Sequence, residues 1–74
     1  MPSLEEQKIR KLLGRRIKEL RNRAGLTQEE LGAIIHKDTA YVGHVEQGIK
    51  TPSLSYLIKV AGRLNIEIWE LFKF

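Results

Sequence analysis

The side chains best suited to metal binding or proton transfer are His36, Asp38 and His44. The two histidines stand eight positions apart across a helix boundary, and no His-Glu-x-x-His pattern occurs, so no metal site is expected. No nucleophile–base arrangement or glycine-rich phosphate loop is recognisable, and the reading is a non-enzyme without cofactor. The absence of Cys removes thiolate ligands and disulfides together. Chemistry of another kind gathers at Thr39, Ala40, Gly43, His44 and Gln47, which are small or uncharged and hydrogen-bonding. A helix carrying them on one face can approach phosphates closely, because no carboxylate points the same way. The charge balance agrees. Across 74 residues, 13 Lys and Arg outnumber 9 Asp and Glu for a net +4, which favours a polyanionic partner.

Length limits the elements that hold these groups. Residues 1–74 are read as a single domain with a modest core, too small for a two-domain cleft or a dinucleotide fold. No apolar run reaches the roughly 18 residues of a membrane span, and Met1-Pro2-Ser3-Leu4-Glu5-Glu6 is not a signal peptide. A soluble, cytoplasmic (nucleoid-associated) protein is therefore expected.

Helix punctuation is frequent. Ser3 with Glu6 forms a capping-box pattern, and Ile9, Leu13, Ile17, Leu20 and Ala24 make one apolar face. Gly25 and Leu26 suit a helix end, so a first helix spans about Leu4 to Ala24, weakened by about 1 kcal/mol at Gly14. Thr27 with Glu30 opens a short second helix that turns Leu31 and Ile35 inward. Asp38 caps a third, with Val42 and Val45 inside and Gly48 closing it. Ser53 caps a fourth bearing Leu54, Leu57, Ile58, Ala61 and Leu64, which Asn65 ends in the left-handed conformation. Ile66 to Phe72 read as a last short helix, since Ile66-Glu67-Ile68 is too brief for a strand. The fold class is all-α, a compact five-helix domain.

Two short helices joined at His36-Lys37, spanning about residues 27–48, have the organisation of a helix-turn-helix. In that motif the second helix enters the DNA major groove and the first crosses the backbone. Leu20-Arg21, Gly25-Leu26-Thr27-Gln28-Glu29-Glu30-Leu31, Val42-x-x-Val45-Glu46-x-Gly48 and Pro52-Ser53-Leu54 together resemble the lambda-repressor/Cro (XRE) helix-turn-helix family over residues 13–72. Tyr41-Val42-Gly43 and the small size are similar to stand-alone controller proteins of restriction–modification systems. The resemblance implies base readout by Thr39, Ala40, Tyr41 and His44, and phosphate contacts from Gln28, Lys50 and Thr51. It also implies an Arg21–Glu46 ion pair whose Arg can face a phosphate. Gly43 and Gln47 complete the backbone-facing set.

The chain departs from the family pattern at His36, where a turn Gly is common, and at Gly32, where an Ala is common. Looser packing between the two helices is expected there. Lys37 replaces an apolar residue and would snorkel across the core edge. Ile49 stands where a basic or polar residue often follows the Gly. With few base-reading donors on the third helix, much of the sequence preference should come from DNA shape or backbone amides.

Eight of the thirteen cations lie in the run Lys8, Arg10, Lys11, Arg15, Arg16, Lys18, Arg21 and Arg23. Most are expected on a solvated face, with Arg21 and Arg16 nearest a phosphate. Leu71 is expected in the core, while Trp69, Phe72 and Phe74 exceed what one small domain buries and suggest a dimer interface. The functional expectation is a sequence-specific double-stranded DNA-binding transcriptional regulator, a repressor or controller. It would bind a palindromic operator as a homodimer, without membrane association or small-molecule effector. The alternatives are the antitoxin of a toxin–antitoxin pair, or a protein–protein bridging domain on the same fold.

Overall fold

The computed structural model describes residues 3–74. Its elements run α1 (Leu4–Arg23), α2 (Gln28–Ile34), α3 (Thr39–Glu46), α4 (Leu54–Leu64) and a 3-10 helix (Ile68–Phe72). Each α-helix starts at a polar residue whose side chain accepts the backbone N–H three positions on: Ser3 from Glu6, Thr27 from Glu30, Asp38 from Tyr41 and Ser53 from Tyr56. Such caps contribute about 1 kcal/mol each. At α2 the Glu30 carboxylate also accepts the Thr27 N–H at 2.9 Å, completing the box. These bonds hold its pKa below the ordinary carboxylate value.

All four α-helices stop in the same way. The residues in the left-handed region are Gly25, His36, Gly48 and Asn65, with φ between 57° and 76°. After each, the next N–H reaches back five positions: Leu26 to Arg21, Lys37 to Gly32, Ile49 to His44 and Ile66 to Ala61. This is the Schellman closure. It also explains why the last element begins later than the apolar pattern suggests. Ile66 is the closing residue of the α4 turn, so the final helix opens at Ile68 and its i→i+3 bond from Glu70 N–H to the Glu67 carbonyl makes it 3-10 rather than α.

The core joins Leu13 and Ile17 of α1, Leu31 and Ile35 from α2 and its end, Val42 and Val45 of α3, four residues of α4, and Leu71. On α4 the buried face is Tyr56, Leu57, Val60 and Ala61, whereas Leu54 and Ile58 lie exposed. The apolar stripe expected through Leu54 and Ile58 is thus rotated, because Tyr56 presents the larger surface to the core. Burying each large apolar side chain stabilises by about 1.5–3 kcal/mol.

Two glycines mark where helices come closest. A Cβ on Gly14 would collide with the backbone carbonyls of Val45 and Glu46, and one on Gly32 would stand 2.5 Å from the Lys37 carbonyl oxygen. The α1–α3 and α2–turn contacts therefore need the missing side chain. At Gly32 the packing is tight, correcting the expectation of a looser junction.

Candidate nucleic-acid interface

The α2–turn–α3 unit sits on α1 through one buried cluster. Arg21, 7 % exposed, donates from Nε to Glu46 Oε2 at 2.7 Å and from Nη2 to Glu46 Oε1 at 3.0 Å. Its Nη1 donates to the Leu26 carbonyl at 2.6 Å. A forked guanidinium–carboxylate pair of this kind fixes orientation as well as charge. Glu46 Oε1 then accepts from Gln28 Nε2 at 3.1 Å. The amide of Gln28, at the first turn of α2, is held by a three-residue chain that begins in α1.

The sequence assigned Arg21 a second role at phosphates. Its Nε and one N–H of each terminal nitrogen are engaged inside the domain, and through Glu46 it holds Gln28 in place. Arg16 is likewise occupied, donating to the Glu70 carbonyl at 3.1 Å and to Glu19 at 2.7 Å. Arg10 donates to the Gly48 carbonyl at 2.6 Å and pins the end of α3 to α1. The basic run is thus partly a set of clamps, not simply a solvated face.

On α3 and its C-cap, Thr39, Ala40, His44 and Gln47 are exposed, and none is acidic. Gly43 is buried, and a Cβ there would meet the Gln28 amide at 3.5 Å. It faces the domain rather than solvent, which corrects its place on the outward face. Tyr41 is partly buried, its ring in edge contact with Tyr56 at 5.0 Å and 68°. Lys50 and Thr51 are exposed in the loop after Gly48. Thr39, Ala40 and His44 thus share one helix that Gln47 caps, with Gln28 seated beside Gly43.

Trp69, Phe72 and Phe74 belong to a different region. They are 60, 45 and 52 % exposed on and after the 3-10 helix, which packs on α1 and α4, while Leu71 between them is fully buried. His36, Asp38 and His44 do not converge: no group of metal-ligating side chains forms among the described residues.

Nothing in the local pattern marked Tyr56, the largest fully buried side chain. Its hydroxyl has no hydrogen-bond partner among the described residues, and burial, reinforced by the Glu46 charge, pushes the phenol well above its ordinary pKa. Also unforeseen is an open apolar groove of about 250 Å³ lined by Ile9, Leu13, Arg10 and Pro52, below the usual size of a small-molecule site.

With this geometry in place, comparison decides the family. The model of the family HTH_3, helix-turn-helix, matches residues 17–71. The chain belongs to the HTH_3 family. Solved structures agree with that membership. The restriction–modification controller protein C.AhdI from Aeromonas hydrophila is 43 % identical, with 82 % of this chain and 92 % of that one covered and a TM-score of 0.79. A hypothetical transcription factor, NHTF, from Neisseria is 31 % identical over 90 % of this chain and 75 % of its own, with a TM-score of 0.82. The clp gene regulator ClgR from Corynebacterium glutamicum is 25 % identical over 88 and 69 %, with a TM-score of 0.84. Among curated protein sequences none matches significantly. Membership of HTH_3 makes α2 and α3 the two helices of the family motif, and no described helix is long and apolar enough to cross a membrane.

Proposed function

We propose that this protein is a DNA-binding transcriptional regulator that reads an inverted-repeat operator as a homodimer. The observation that carries the reading is the carboxylate-free exposed face of α3 beside a clamped Gln28. Thr39, Ala40 and His44 discriminate bases, while Gln28, Gln47, Lys50 and Thr51 contact the backbone. Phosphate contacts set register and salt dependence, and base contacts set specificity. The positive charge of α1 is directed partly inward, so the cations at the DNA are few.

A second copy seats on the last two elements. Leu54 and Ile58 of α4 together with Trp69, Phe72 and Phe74 leave large apolar side chains exposed, and their burial is favourable when two copies meet. The domain measures 31 × 23 × 20 Å. Two such bodies side by side suit recognition helices in successive major grooves, about 34 Å apart. Cytoplasmic, nucleoid-associated residence follows from this role, and regulation acts through concentration or dimerisation. Fluorescence anisotropy with duplex DNA over a salt series tests the proposal. A salt-dependent affinity that prefers one sequence supports it, and equal or absent binding on every sequence overturns it.

A further inference from the structure

Around Tyr41 the structure gathers two cations, of which the helix-turn-helix reading uses only Lys50. The Lys37 ammonium lies over the Tyr41 ring at 4.8 Å from its centroid, and the Lys50 ammonium at 5.7 Å. Both distances fall within the range of a cation–π contact. The two lysines come from opposite ends of α3, one from the turn before its cap and one from the loop after Gly48. The ring they share is itself fixed, because its edge contact with Tyr56 ties it to a side chain only 1 % exposed. Lys37, exposed in the turn, carries its ammonium over this ring. It is one half of a cationic pair organised by an aromatic post.

We propose that Lys37 and Lys50, held on Tyr41, form a two-point clamp for phosphates of one nucleic-acid strand, with Tyr41 acting as a positioning residue instead of a base reader. This rests on the DNA-binding reading and adds Lys37 to its contacts. The ammonium groups stand no farther apart than the sum of their two distances to the ring. A strand carries one charge per about 3.4 Å of helix axis, so two cations held on one ring stand close enough to meet neighbouring phosphates of the same strand. Lysine suits the task as a compact point charge, and a ring that restrains its flexible stem lowers the ordering cost on binding. The clamp brackets α3, so it would fix the helix along the groove without itself reading sequence.

The test is a salt series on Lys37→Met, Lys50→Met, Tyr41→Leu and Tyr41→Phe with a cognate duplex and a random-sequence duplex, circular dichroism confirming that each variant folds. Lys37→Met should lower the slope of log affinity against log salt by about 0.9, the value of one phosphate contact, on both duplexes alike. Tyr41→Leu should weaken both duplexes by at least about fivefold through freer lysines, while Tyr41→Phe keeps the ring and stays near wild type. An unchanged slope in Lys37→Met overturns the clamp, as does a Tyr41→Leu loss confined to the cognate duplex. If the wild type binds no duplex, the DNA reading itself has failed. The clamp is then judged by inorganic pyrophosphate titrated while the lysine ε-proton NMR signals are followed. Joint shifts of Lys37 and Lys50 that vanish in Tyr41→Leu support it, and unmoved signals reject it.

Discussion

Glu46→Ala is the most informative single perturbation of the fold. The Arg21 and Glu46 side chains are only 8 and 1 % exposed, so removing the carboxylate leaves a guanidinium without its partner in a nearly dry site. Breaking such a pair costs about 3–5 kcal/mol, against about 0–1 kcal/mol for an exposed pair. A 74-residue domain has a total stability of about 4–11 kcal/mol. The loss is therefore a large share of the whole, equivalent to a fall in melting temperature of roughly 12–40 °C. Urea denaturation followed by circular dichroism reads it directly. The companion variant Arg21→Met/Glu46→Leu removes both charges and should recover most of the stability, since apolar replacement of a buried pair is commonly neutral or better. It should not recover DNA affinity, because Gln28 still lacks the carboxylate that holds its amide at 3.1 Å. A single-variant loss below about 1 kcal/mol would refute the reasoning, showing that the pair behaves as a surface contact.

Four further substitutions probe other features. Tyr56→Phe deletes a buried hydroxyl with no partner among the described residues, so stability at pH 7 should hold or rise by up to about 1 kcal/mol; a loss beyond that in urea denaturation would reveal a partner. Because burial raises this phenol above its ordinary pKa of 10, the folded state keeps a proton that the unfolded chain releases. The resulting stability is full below pH 10 and declines as pH climbs past it, a decline that Tyr56→Phe should reduce in alkaline melting curves. His36→Gly relieves a left-handed side chain at φ 59° and should stabilise by about 0.5–1 kcal/mol after the entropy of glycine is counted; a lower melting temperature would contradict it. Gly14→Ala should destabilise by about 1–3 kcal/mol through collision with α3, whereas Gly62→Ala, with open space around its Cβ, should stabilise by about 0.5–1 kcal/mol; melting curves of the pair separate packing from helix propensity.

What the sequence disclosed and what it concealed divide along the range of the interactions. Ser3, Thr27, Asp38 and Ser53 cap their helices through groups three residues away, so four starts were legible, as were the ends at Gly25, Gly48 and Asn65. The helix-turn-helix followed from those boundaries. Concealed were features set by other elements: the rotation of α4 that buries Tyr56 and exposes Ile58, the close approach that Gly14 permits, and the carbonyl partners of Arg10 and Arg16. Lys37 illustrates the limit most clearly. Its type suggested a misplaced core residue, and only the meeting of two loops at one aromatic ring gives it a partner. At the candidate interface the exposed residues of α3 could be read from helical spacing. The Arg21–Glu46–Gln28 chain needed the juxtaposition of α1, α2 and α3.

Selection of bound duplexes from a random DNA pool tests the proposed function most directly. The expected result is an enriched inverted repeat whose half-sites lie about 10–10.5 base pairs apart centre to centre, the spacing of two recognition helices in successive major grooves. His44→Ala should relax one position in each half-site. A pool that returns no enriched sequence, or one without two-fold symmetry, would contradict the proposal that two copies read DNA through α3.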